Sequence, residues 1–229
     1  MNNKVALVTG ASRGIGKAIA LKLAQLGYKL ALVARSEDAI AELAANTAHS
    51  KAYAADLSDL KIIPNLVQHI ADDFGRIDVF VNNAGVWING SLESSLEDFQ
   101  RALDINLSAG WALLKEVVPI MKAQETGYIF NVSSIAGKTG FSGTGAYSST
   151  KFALAGLNES LYRELASFGI KVTALCPGWV NTDMAVDAGN PFDKASIIQV
   201  EDISETVSYL LRLSKGAHIR EVLIESGDI

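Results

Sequence analysis

The sequence predicts an α/β chain built on one doubly wound parallel sheet, and three observations carry that expectation. Seven short β-rich runs alternate with longer segments of helical period along the 229 residues. Most of the runs are apolar at consecutive positions, the pattern of strands covered by helices on both faces. A glycine-rich turn directly after the first run leads into the first helical segment, the order found where open sheets bind anionic ligands.

The runs are KVALVTG (4–10), KLALVA (29–34), SKAYAA (50–55), IDVFVNNAG (77–85), GYIFNVSS (127–134), IKVTALCPG (170–178) and REVLIES (220–226). Between the first two lies GKAIALKLAQLG, in which Ile19, Leu23 and Leu26 recur at helical spacing and Gly27 supplies a stop. In NLVQHIADDFG, Leu66, Val67, Ile70 and Phe74 share one helix face. Such alternation predicts a Rossmann-type, seven-stranded parallel sheet with helices on both faces. No repeat, low-complexity tract or linker divides the chain, so residues 1–229 are read as a single domain.

Composition narrows the function. A formal charge of −5 argues against nucleic acid or an anionic membrane as the main partner. No apolar run approaches the roughly 20 residues of a membrane span, and MNNKVALVTG reads as an early strand with too short an apolar stretch for a signal peptide. The lone Cys176 suits a reduced core thiol in a cytoplasmic protein. His49, His69 and His218 lack ligand-like spacing, so no metal site is expected.

In TGASRGIG, Gly10, Gly14 and Gly16 follow a GxxxGxG spacing. A tight turn needs a residue without Cβ, a pyrophosphate needs close backbone approach, and a helix N-terminus offers unpaired N–H groups to an anion. The second strand ends at Ala34, where an NAD enzyme needs a carboxylate, and is followed by Arg35. Arg13, inside the turn, is expected to reach the same ribose. Two guanidiniums there favour NADP(H) over NAD(H). Glu37 and Asp38 read as first-turn acids of the next helix.

In GAYSSTKFALAG, Tyr147 and Lys151 lie one helical turn apart on one face. A phenol titrates near pH 10, and an ammonium about 4 Å away at an effective dielectric near 20 favours the phenolate by up to roughly 4 kcal/mol. The expectation is therefore a phenol acidified by Lys151.

Taken in order, TGASRGIG, NNAG at 82–85, Asn106 in LDINL, NVSS at 131–134, YSSTK at 147–151 and PGWVNTDM from Pro177 closely resemble the short-chain dehydrogenase/reductase family. The resemblance runs from about residue 4 to 184 and more loosely beyond. It implies hydride transfer between NADP(H) and a carbonyl or alcohol. Tyr147 is then the acid/base, Ser134 (in preference to its neighbour Ser133) polarises the carbonyl, and Asn106 holds a local helix irregularity with a water leading to Lys151. It also implies cofactor contacts from Gly10, Ser12, Arg13, Gly14, Ile15 and Gly16. Others come from Arg35, Asp56 (on the adenine), Leu57, Asn83, Ala84 and Gly85, then from Tyr147 and Lys151, and finally from Pro177, Gly178, Val180 and Thr182.

The segment DMAVDAGNPFDKASIIQ is expected to be a short loop-like lid, with Trp87, Phe141, Trp179 and Met184 as apolar lining or packing residues. Acyl carrier protein is a doubtful partner, because Glu125 and Phe168 stand where carrier-protein reductases of the family bring arginines. The family resemblance implies a homodimer or homotetramer through helices near 96–123 and 147–167, with stripes Trp111, Leu114, Val118 and Leu154, Leu157, Leu161. The closing ESGDI is expected to be too short to reach a neighbour's site. The alternative to an enzyme is a catalytically silent dinucleotide sensor or partner-binding protein on the same fold; a dehydratase or epimerase would need a separate C-terminal substrate region.

Overall fold

The computed structural model describes residues 3–227; the last two residues of ESGDI lie outside them. Seven strands form one parallel sheet: β1 (Val5–Thr9), β2 (Lys29–Ala34), β3 (Ser50–Ala54), β4 (Val79–Asn82), β5 (Gly127–Val132), β6 (Ile170–Pro177) and β7 (Glu221–Ile224). Their spatial order is β3-β2-β1-β4-β5-β6-β7. The chain winds outward from β1 to β3, then returns so that β4 pairs with the free side of β1, Ala6 beside Val79. The strand order thus reverses between β1 and β4, and the loops leaving these two strands part from each other. That divergence is what opens a crevice at the carboxyl ends of the strands.

Alternate residues of each strand feed two separate cores. On one face Ala6, Val8, Leu30 and Leu32 meet Ile19 and Leu23 of α1 (Gly14–Gln25), Ile40 of α2 (Glu37–Ala45) and Ile203 and Val207 of α8 (Val200–Arg212). On the other, Leu7, Ala31, Val33 and Phe80 meet Ile63, Val67 and Ile70 of α3 (Ile63–Phe74) and Leu113 and Val117 of α5 (Ala109–Gln124). Both cores demand apolar residues, which explains why the inner strands read as unbroken apolar runs. At the edges the rule relaxes: Lys51 of β3 and Leu223 of β7 are exposed.

The remaining helices are α4 (Leu96–Leu103), α6 (Gly145–Leu165) and the five-residue α7 (Asp183–Asp187). α4 does not run straight into α5: Asp104–Ser108 forms a π-helical turn between them. After α7 the chain continues as irregular backbone to Gln199, so the cover beyond β6 is a short helix and a loop. No helix among the described residues is long and apolar enough to cross a membrane.

Candidate active site

A cleft of about 750 Å³ opens where β1 and β4 diverge. Its floor is the glycine turn. Gly10 and Gly14 hold φ of 62° and 55°, left-handed values that favour glycine. A Cβ on Gly16 would stand 2.3 Å from the carbonyl oxygen of Gly10 and 2.4 Å from Nδ2 of Asn83. Helix α1 begins directly from this turn without a side-chain cap and without an acidic residue in its first turn, so its N–H groups keep their positive field. Cleft size, bare backbone and uncapped helix together fit a dinucleotide and its pyrophosphate.

Ser12, Gly14, Ile15 and Arg35 line this cleft, as do Asp56, Leu57, Ala84, Gly85 and Thr182. Gly16 lies beneath the turn instead, and Pro177, Gly178 and Val180 take part in backbone pairing at the end of β6: Gly178 donates to Ile224, and Val180 bridges to Ile198. Sequence reasoning missed Ser36, Val86, Ile105 and Asp183 on the lining. Ser36 had a signal: it precedes α2 as its N-cap, yet its hydroxyl makes no capping bond.

Two residues of the cleft wall also bond within the protein. Arg13 borders the cleft but turns toward the lid, where its Nη1 pairs with Asp183 Oδ2 at 3.1 Å. Asn83 spends its amide on the turn itself, donating from Nδ2 to the carbonyls of Thr9 at 2.9 Å and Gly10 at 3.3 Å. Thr9, absent from the sequence reading, accepts from both Asn83 N and Ala84 N on its hydroxyl. Asp56 accepts from the backbone N–H and hydroxyl of Ser58; these bonds, and then the nearby Arg35 and Arg101, hold its carboxyl below the usual range.

Beyond Gly85 the cleft meets the N-terminal half of α6. A Cβ on Gly85 would lie 3.3 Å from Asn106 Oδ1 and 3.8 Å from Lys151 Nζ. Asn106, the middle residue of the π-helical turn, accepts from Val86 N at 2.7 Å and donates to Val86 O at 3.0 Å and to Thr150 Oγ1 at 3.1 Å. A widened turn places this side chain inward without unravelling the helices on either side. Thr150 in turn donates to the carbonyl of Tyr147 at 2.7 Å, so one carboxamide ties the β4 loop to the helix that carries the phenol.

Tyr147 is 7% exposed, with Ser134 beside its hydroxyl. Ser133 donates to the carbonyl of Lys151 at 3.3 Å, and the Ser134 hydroxyl donates to Pro177 O at 3.4 Å while accepting from Ala136 N at 3.1 Å. The Lys151 ammonium lies 5.6 Å from the Tyr147 ring centroid and donates to Val132 O at 3.0 Å. The expected acidified phenol is not what these side chains produce. Burial pushes Tyr147 up to about 12, opposed only by the Ser134 hydroxyl, and burial pulls Lys151 down to about 8. Desolvation disfavours both charged forms.

A doubly wound sheet with a cleft at its switch point, and beyond the cleft lining a half-buried Ser134 beside the buried Tyr147 and Lys151, defines an oxidoreductase-type nucleotide-binding chain. The short chain dehydrogenase family matches residues 4–191, and the chain belongs to that family. It is 37% identical to a 3-oxoacyl-[acyl-carrier-protein] reductase of Synechocystis sp. over 94% of this chain and 92% of the relative. A crystal structure of a betaketoacyl-[ACP] reductase from Bacteroides thetaiotaomicron superimposes with a TM-score of 0.86 at 41% identity, covering 98% of this chain and 97% of that one. An alcohol dehydrogenase from Thermococcus sibiricus, complexed with 5-hydroxy-NADP, gives 0.90 at 31% identity with the same coverage.

Proposed function

We propose that this oxidoreductase is an NADP(H)-dependent carbonyl reductase working through Tyr147, Ser134 and Lys151. The observation that carries the reading is the meeting of the cleft with Lys151 and the Asn106 clamp at Gly85 and Val86. NADPH, when bound, supplies the hydride. Tyr147 gives its proton to the substrate oxygen, and its raised pKa keeps it loaded with that proton through the neutral range. Ser134 supports the same oxygen as negative charge develops there. Proton transfer leaves a phenolate, and the Lys151 ammonium, 5.6 Å from the Tyr147 ring centroid, favours that charge. A silent sensor has no use for these three groups.

NADP(H) in preference to NAD(H) is supported by Arg35 and Ser36 on the cleft wall, and by the NADP derivative in the Thermococcus sibiricus neighbour. A carrier-linked 3-oxoacyl substrate has the names of two relatives in its favour. The local charge gives it little support: Glu125 caps α5, and Lys122, 4.3 Å from the Phe168 ring centroid, is the cation beside it. Self-association belongs to the same reading. Leu114 and Leu154 are buried and Val118, Leu157 and Leu161 pack against the core, whereas Trp111 and Phe152 remain exposed on α5 and α6.

Incubation with NADPH and a panel of aldehydes and ketones, followed by absorbance, tests the reading. Tyr147→Phe is expected to abolish turnover and leave coenzyme binding nearly intact; normal turnover by this variant overturns the role of Tyr147. Arg35→Ala is expected to weaken NADPH more than NADH, and equal weakening counts against the coenzyme preference.

A further inference from the structure

The first N–H groups of a helix have no acceptor within it. In α6, the helix that carries Tyr147 and Lys151, the N-cap residue Thr144 does not supply one. Its hydroxyl donates to Phe141 O at 2.9 Å and meets Ser148 Oγ at 2.8 Å instead. The acceptors come from a loop 54 residues earlier in the chain. Gly145 N donates to Ser91 Oγ at 3.0 Å and Ala146 N to Gly90 O at 3.3 Å, while Gly90 N returns a bond to Gly143 O at 2.9 Å. Ser91 is thus a helix cap brought in from another part of the fold.

The surroundings are fitted to this contact. A Cβ on Gly145 would stand 2.7 Å from Ser91 Oγ and 2.8 Å from Ser91 Cβ, so a glycine is needed there for the hydroxyl to approach. On the other side, Glu93 Oε2 accepts from Ser91 N at 2.8 Å and from Leu92 N at 3.0 Å, which holds the turn that presents Ser91. These N–H groups keep the Glu93 carboxyl below the usual range, so the brace stays charged near neutral pH. The same loop begins at Val86, whose N–H and C=O are both held by Asn106. Its next residue, Trp87, lays its ring against that of Tyr147 with centroids 4.8 Å apart. Fixed at both ends, segment 86–91 forms a strap across the phenol. Tyr147 is the third residue of α6, inside the turn that Ser91 caps. Helix ends fray, and fraying here moves the phenol.

Resting on the reductase reading, we propose that Ser91 is a positioning residue, which fixes the first turn of α6 from outside and so holds the Tyr147 hydroxyl at the substrate oxygen. Ser91 is not on the cleft lining, so its loss leaves coenzyme binding intact.

The test follows the carbonyl compound that wild type reduces fastest among the aldehydes and ketones. It measures kcat, KM, NADPH binding and melting temperature in wild type, Ser91→Ala and Ser91→Thr. Ser91 is exposed, so the threonine keeps the hydroxyl and turns its methyl to solvent. For Ser91→Ala the expected kcat is roughly 3- to 30-fold lower, the range of a lost helix cap, with KM and NADPH affinity within about 2-fold of wild type. Ser91→Thr is expected to regain kcat to within about 2-fold. A Ser91→Ala kcat within about 2-fold of wild type, whatever its melting temperature, overturns the proposal and leaves the reductase reading standing. So does a loss that appears as weaker NADPH binding, or one that the threonine does not relieve. Wild type that binds NADPH but reduces none of the compounds overturns both. If Ser91→Ala fails to fold, hydrogen exchange in native wild type decides. Gly145 and Ala146 amides slowed at least about tenfold against an unstructured chain support the cap, and unprotected amides overturn it.

Discussion

Lys151 donates from Nζ to the carbonyl oxygen of Val132 at 3.0 Å, a buried ammonium held by a neutral acceptor. Burial lowers its pKa to about 8 from the ordinary 10.5. Below pH 8 the lysine is charged in both folded and unfolded chains, and the folded state bears the desolvation penalty. Between about pH 8 and 10.5 the unfolded chain binds the extra proton, so stability rises with pH across that window. The difference, 10.5 − 8 = 2.5 units, corresponds to a penalty of roughly 3 kcal/mol at pH 7.

Lys151→Met is therefore expected to abolish activity and to raise stability at pH 7 by about 1–2 kcal/mol, once the lost bond to Val132 is counted. For a chain of this size that is roughly 2–8 °C in melting temperature. The advantage shrinks above pH 8 and is gone near pH 10.5. Thermal melts of both proteins across this range check it; a variant less stable at pH 7 contradicts it.

The pH dependence of turnover follows from the same pair. On the proposed reductase reading, Tyr147, pushed up to about 12, holds its proton throughout the working range, so its own titration sets no limit on carbonyl reduction near neutrality. Lys151 loses its proton above about 8, and with it the support for the phenolate. Reduction is expected to be level below pH 8 and to decline above it, whereas alcohol oxidation, which starts from the phenolate, gains with rising pH. Rate profiles in both directions measure this, and a reduction rate that climbs between pH 8 and 10 refutes it.

Arg13 and Asp183 form an exposed pair, at 68% and 71% side-chain exposure. Exposed pairs contribute about 0–1 kcal/mol, little enough for a coenzyme phosphate to displace the carboxylate. Asp183→Asn is expected to tighten NADPH by about 2- to 5-fold at low salt and to leave NADH nearly unchanged. The gain fades at high ionic strength. Fluorescence titrations with both coenzymes decide; equal tightening of NADH points to general loosening of the lid.

Gly16→Ala forces a Cβ to within 2.3 Å of Gly10 O, so the turn itself has to move. The expected outcome is destabilisation of about 1–3 kcal/mol together with at least a tenfold loss of coenzyme affinity. Denaturant melts and the same titrations measure both quantities. A variant with normal affinity shows that the turn does not hold the pyrophosphate.

The sequence by itself determined what depends on neighbours along the chain. Unbroken apolar runs such as KLALVA marked β2 because both faces of that strand are covered, and the spacing of Tyr147 and Lys151 placed them one turn apart on α6. The glycines at 10, 14 and 16 announced the tight turn for the same local reason: their backbone conformation and the lack of a Cβ are properties of the residue. Only the tertiary structure decided the partners. Asn106 stood out as a polar residue in an apolar helix, but its bonds reach Val86 and Thr150, twenty and forty-four residues away. Arg13 sits in the turn, yet its direction is set by Asp183, 170 residues on. The reversed balance at Tyr147 and Lys151 has the same origin, since desolvation depends on how much of the whole chain closes around a side chain, and no local spacing records that.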